Sequence, residues 1–183
     1  MPLSEFRKKK LLFVFTTFFD VNDSGAIDKK DLDLAVQSIC SSRGWASDTA
    51  KLEQTKATLL KIWEGLKQGA DSDQDGQISR EEWYMMWEDY AKNPDNPPEW
   101  QNVYMNFVFD LEDTSGDGSI DESEFCVVCR NHGVTDSEAR EAFKKLQVGT
   151  EVTREKFLTL WRDYFTSDDA NSPGNFIFGK TSF

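Results

Sequence analysis

Three stretches of the chain, residues 20–31, 71–82 and 113–124, repeat one spacing of oxygen-bearing side chains, and that spacing dictates the backbone around it. Each offers oxygens at positions 1, 3 and 5, a carbonyl at 7 and a carboxylate at 12, which is the shell of about six to eight oxygens that a calcium ion takes. The candidate ligands are Asp20, Asn22, Ser24, the carbonyl of Ala26 and Asp31 in the first stretch. In the second they are Asp71, Asp73, Asp75, the carbonyl of Gln77 and Glu82, and in the third Asp113, Ser115, Asp117, the carbonyl of Ser119 and Glu124. Glycine at position 6 (Gly25, Gly76, Gly118) allows the chain to turn sharply beneath an ion. An aliphatic residue at position 8 (Ile27, Ile78, Ile120) points inward. The third stretch tests the register, because a start at Asp110 would put Ser115 at the glycine position and Asp117 at the aliphatic one.

These are EF-hand loops, and the residues around them have the helical period that such loops require. After position 12 come Leu32/Ala35/Val36, Trp83/Met86/Trp87 and Phe125/Val128/Cys129, apolar at i, i+3 and i+4. Before position 1 come Leu12/Phe15, Trp63/Leu66 and Met105/Val108. Ser79-x-x-Glu82 and Asp121-x-x-Glu124 have the form of capping boxes for the exiting helices. The same ruler finds a fourth hand at 145–156, with Val152 at position 8 and Phe157, Leu160 and Trp161 inward, but with Lys145 and Lys156 at positions 1 and 12. Lysines there repel a cation, so three ions are expected and none in the fourth hand. Ladders at position 8 are expected to join Ile27 to Ile78 and Ile120 to Val152.

The fold class read from this pattern is all-α, four EF-hands in two packed pairs with the fourth degenerate. The expected domains are an N-terminal pair over 1–92, a C-terminal pair over 99–166 and a tail over 167–183, with the proline-rich segment 93–98 between the pairs. A helix over about 48–70 is expected to fill the long interval between the first two loops.

A net charge of −12 excludes dependence on clustered basic residues for nucleic-acid binding. Eleven carboxylates in the three loops nearly account for that excess, and three divalent ions would bring −12 to −6. No apolar run reaches the roughly 18 residues of a membrane span, and Pro2 after Met1 rules out N-myristoylation, so no stable membrane anchor is expected. Three cysteines point to a reducing cytoplasm and not to a disulfide framework. Cys126 and Cys129 form C-x-x-C, but Cys129 falls at a core position of the repeat, and His132 lies in a turn; no catalytic constellation emerges, and the chain reads as a non-enzyme. Gly174 to Thr181 fits the P-loop spacing, which would suggest a guanine-nucleotide-binding signalling protein, yet too few residues follow for the helix whose amides cradle phosphate.

Taken together, the loop order, Ile62-Trp-Glu-Gly-Leu66, Glu81-Glu-Trp83-Tyr-Met-Met-Trp87, Met105-Asn-Phe-Val-Phe-Asp110 and the ending Gly174-Asn-Phe-Ile-Phe-Gly179 resemble the calexcitin and invertebrate sarcoplasmic calcium-binding protein family. The resemblance implies a compact fold of two packed hand pairs and a role in calcium buffering or, on the calexcitin side, in neuronal calcium signalling through an unidentified protein target. Loop one departs from the common pattern in ending with Asp31, which admits magnesium beside calcium at that site. Four methionines against fourteen phenylalanines and six tryptophans suit a rigid buffer-like core better than an adaptable target groove. The apolar tail, with Phe176, Ile177, Phe178 and Phe183, is expected to pack against the protein.

Overall fold

The interval between the first two loops is occupied by one long helix. In the computed structural model, which describes residues 3–183, α3 runs Thr49–Ala70 and is N-capped by Asp48, whose carboxylate accepts the Lys51 N–H. Met1 and Pro2, on which the argument against myristoylation rests, lie outside the described residues. Around α3 the chain reads α1 (Glu5–Val14), a π-helical turn (Phe15–Phe19), β1 (Ala26–Ile27), α2 (Lys29–Ser42), β2 (Ile78–Ser79) and α4 (Arg80–Lys92). There follow α5 (Glu99–Glu112), β3 (Ser119–Asp121), α6 (Glu122–Asn131), α7 (Asp136–Lys145), β4 (Glu151–Thr153), α8 (Arg154–Thr166) and a 3-10 turn (Pro173–Phe176). The chain divides into two compact units, Leu11–Tyr104 and Ser4–Lys10 with Met105–Phe183.

Within each unit two loops are tied by a short antiparallel ladder. Ile27 faces Ile78 in one and Ile120 faces Val152 in the other, as position 8 of the repeat predicts. All four ladder residues are at most 2% exposed, so the strands that bring the loops together are also core.

The first unit is built on aromatic side chains. Trp83, wholly buried, contacts Phe15, Phe19 and Trp87, and its indole N–H donates to the Leu11 carbonyl at 2.9 Å. Trp87 in turn meets Tyr90 and Trp100 edge-on. One expected face is corrected here: Leu11, Val14 and Phe15 are buried on the first entering helix, while Leu12 is only half-buried. The cause is the π-helical turn, closed by the Asp20 N–H on the Phe15 carbonyl, which inserts a residue and rotates everything before it by one position.

Trp100 lies directly on the backbone of α3 at Gly65, where an added Cβ would sit 2.4 Å from the Trp100 Cβ. Gly65→Ala should therefore destabilise the protein by about 1–3 kcal/mol despite the better helix propensity of alanine, and thermal denaturation would register it as a lower Tm.

The second unit holds the tail. Phe178 packs on Trp161 and Tyr164, with ring centroids 5.7 and 4.8 Å apart, and Phe176, Ile177 and Phe178 are all buried as expected. Phe183 is half-buried and reaches the rings of Phe6 and Tyr164. The start of α1 fastens this arrangement: Lys10 is buried, and its ammonium donates to the Ser167 carbonyl at 2.8 Å and the Asn175 side-chain oxygen at 2.7 Å. Burial lowers the Lys10 pKa to about 8, against the opposing pull of Asp163.

Candidate metal centres

Each acidic loop turns its first carboxylate inward by the same backbone device. Asp20 accepts the N–H groups of Ser24 and Gly25, Asp71 those of Asp75 and Gly76, and Asp113 those of Asp117 and Gly118, all at 2.9–3.2 Å. The glycines at position 6 stand at φ between 85° and 93°, a conformation that the Cβ of any other residue would strain. Asp110, the alternative start of the third loop, is inside α5 and pairs with Arg154 at 2.6 Å, which leaves Asp113 at position 1.

The position-12 carboxylate closes each loop from the other end. Glu82 accepts from the N–H and hydroxyl of both Ser72 and Ser79 at 2.9 Å. Burial pushes the Glu82 pKa up, but these four donors outweigh it and bring it down to about 2. Glu124 accepts from the N–H groups of Ser115 and Asp121 and from the Thr114 hydroxyl. Asp31, though one methylene shorter, spans the Asn22 N–H at 3.2 Å and the Asp28 N–H at 2.8 Å. It is 2% exposed, and burial raises its pKa against those two hydrogen bonds.

The hydroxyls at position 2, Ser72 and Thr114, stand outside the ligand spacing, because they address the carboxylate and not the ion. Loop one has Val21 at that place and lacks the donor. The signal was present as a Ser or Thr immediately after the first aspartate in two loops of three.

The donor set fits a hard divalent cation. Asp71, Asp73 and Glu82 offer carboxylate oxygens within 4.8 Å of one another, a crowding of like charge that a cation relieves. In loop one the Ser24 hydroxyl lies 2.9 Å from the Ala26 carbonyl and 3.3 Å from Asp20, gathering positions 1, 5 and 7. Asn22 and Asp73, at position 3, are likewise turned in to accept the N–H of position 5. In loop three the hydroxyls of Ser115 and Ser119 reach Asp113 and Asp117 respectively. Asp75 is held by the Gln77 N–H at 2.8 Å.

The fourth loop differs in its backbone as well as its charges. Lys145, which the spacing puts at position 1, is still the last residue of α7, and its ammonium turns to Glu141 and the Phe176 ring. The acidic loops run from the residue after the entering helix to the next N-cap as Asp20 to Asp28, Asp71 to Ser79 and Asp113 to Asp121; because α7 continues through Lys145, the non-helical part of the fourth runs only from Leu146 to Thr153, although its sequence spacing is the same.

Other motifs resolve into structure. Cys40, Cys126 and Cys129 are buried free thiols, and burial pushes the Cys129 thiol well above its usual range. The P-loop-like tail forms no phosphate cradle: the Gly174 N–H is taken by the Asp163 carboxylate at 2.8 Å, and the Gly179 N–H by the Phe176 carbonyl.

Comparison with known proteins follows the loops and extends beyond them. The EF hand family model matches residues 69–87, the second loop with its flanks. Calexcitin-1 of Caenorhabditis elegans is 31% identical over 97% of this chain and 88% of its own length. Sarcoplasmic calcium-binding proteins II, V, VI and VII of Branchiostoma lanceolatum are 30% identical over 97% of this chain and 98% of theirs. The chain belongs to the calexcitin and sarcoplasmic calcium-binding protein family. The solved amphioxus member of this family shares its fold at a TM-score of 0.83, with 26% identity over 97% of this chain and 98% of that one. The family resemblance carried by the tryptophans and the tail is thereby upheld, as is the all-α EF-hand class.

Proposed function

We propose that the chain is a calcium-binding protein of the sarcoplasmic and calexcitin type that takes up three divalent ions, at loops 20–31, 71–82 and 113–124, and none at the fourth hand. The observation that carries this is the closure of all three loops by inward carboxylates at positions 1 and 12, each fixed by loop N–H groups. The ligands are those named from the spacing, with Ala26, Gln77 and Ser119 contributing carbonyls. The hand pairs within 1–92 and 99–166, with the tail 167–183, form the working parts. Isothermal titration with calcium in physiological magnesium should saturate at three equivalents per chain; saturation at two or four contradicts the assignment.

The first site accepts magnesium more readily than the others, because a short aspartate more easily offers a single oxygen to a six-coordinate ion. Asp31→Glu should raise calcium preference at this site alone, on the order of tenfold, as measured by competitive titration. An unchanged ratio would remove the argument.

In the cell this chemistry serves a cytoplasmic, non-enzymatic modulator of calcium signalling with buffer-like construction, neuronal if it follows calexcitin. Similarity to a relative named calexcitin-1 supports the modulator role. The buried tail favours the second reading, a plain calcium and magnesium buffer of the sarcoplasmic kind. No described helix is long and apolar enough to cross a membrane.

A further inference from the structure

The fourth hand lends the third loop more than a strand. Position 7 of the repeat, whose carbonyl faces the ion, is uncharged in the three acidic loops: Ala26, Gln77 and Ser119. In the fourth hand it is Glu151. The ladder of β3 with β4 sets Glu151 directly opposite Asp121, position 9 of the third loop. Both are exposed, and like charges that face each other across an antiparallel pair destabilise it. Among the described residues Glu151 has no cationic partner to offset this. Its one contact is with the third loop: the carboxylate lies 3.1 Å from the Ser119 hydroxyl, which also lies 3.1 Å from the carboxylate of Asp117, the position-5 ligand. A hydroxyl has a single proton for these two acceptors. The ladder of the first pair, where Ala26 faces Ser79, brings no such acid to its loops.

We infer that Glu151 is an outer carboxylate of the third calcium site: it touches no ion itself but raises the affinity of loop three through its charge and through the Ser119 hydroxyl. The inference rests on the reading of residues 113–124 as a calcium loop. Without an ion, Glu151 opposes Asp121 and competes with Asp117 for one proton. A divalent ion in the loop reverses both effects. Its charge offsets the facing acids, and by drawing on the Asp117 carboxylate it makes that group the weaker acceptor, so the Ser119 hydroxyl turns to Glu151. The Glu151 carboxylate stands one hydroxyl away from a ligand, inside the Debye length of about 8 Å at physiological salt, so its charge is felt at the site. The hand that takes no ion thus tunes its neighbour electrostatically as well as pairing with it.

The test is a calcium titration of the full, isotope-labelled chain followed by NMR at the amides of Gly25, Gly76 and Gly118. Each of these N–H groups is held by the first aspartate of its own loop, so the three report the three loops separately. Glu151→Gln keeps the size and a hydrogen-bond acceptor but removes the charge. It should weaken calcium at Gly118 about three- to tenfold at low salt, leave Gly25 and Gly76 at the parent affinity, and lose most of that difference in molar salt. Glu151→Asp, which keeps the charge, should lie closer to the parent than to Glu151→Gln. The ion-free Glu151→Gln chain should melt no lower than the parent, because the opposition to Asp121 is gone. Unchanged affinity at Gly118, an equal loss at all three glycines, a loss that survives molar salt, or a lower ion-free Tm would each overturn the proposal, the last by showing the carboxylate to be a structural element. If Gly118 of the parent chain did not respond to calcium at all, the calcium reading of loop three would itself fall, a result distinct from any change confined to the variants at residue 151.

Discussion

Glu82→Gln and Glu124→Gln should each abolish one equivalent of calcium, weakening that site by at least about a hundredfold, or about 3 kcal/mol. The amide replaces one carboxylate oxygen with an N–H₂ group and removes the charge. It also disturbs the apo loop, since the oxygens of Glu82 accept from four donors on Ser72 and Ser79, and a nitrogen at either position faces an N–H with another donor. Glu124 has the same problem with Ser115, Thr114 and Asp121. The two variants should lose different ions, leaving two equivalents each by titration. Full stoichiometry at unchanged affinity in either one would mean that the loops are misregistered.

Removing residues 174–183 should lower Tm by about 10 °C and increase binding of a hydrophobic dye in the calcium-loaded state. Phe176, Ile177 and Phe178 are 7%, 1% and 5% exposed, and burying each is worth about 1.5–3 kcal/mol before the entropy of ordering the segment is subtracted. In a chain of this length each kcal/mol moves Tm by roughly 2–4 °C. The truncation also takes away Asn175, leaving the Lys10 ammonium with one of its two hydrogen-bond acceptors. Matching Tm and dye binding in the two chains would show that the tail contributes nothing to the fold.

What could be read from the residues was whatever obeys a fixed count. The ladder partners Ile27 with Ile78 and Ile120 with Val152, and the capping of α4 and α6 by Ser79 and Asp121, follow from loop geometry with a rigid period. Where the backbone changes its own count, the ruler slips. The π-helical turn at Phe15–Phe19 moved the buried face of α1 from Leu12 to Leu11 and Val14, and nothing in that run of phenylalanines and threonines announces an i→i+5 bond. The hydroxyls of Ser72 and Thr114 were visible but carried no meaning until their carboxylates were placed. The contact of Glu151 with Ser119 was wholly silent, because it is a property of how two side chains turn in space and not of their neighbours in the chain.

The place of Lys145 as the last residue of α7 bears on how this protein can change. A loop that differed from its neighbours only in carrying lysines for acids could gain an acidic shell by point substitution. Here the helix would also have to end one residue sooner, since a side chain at 145 is held in the last turn of α7 and not at the mouth of the loop. The fourth hand is thus free to vary its exposed residues other than Glu151, so long as Val152 continues to pair with Ile120 in the ladder of the third loop.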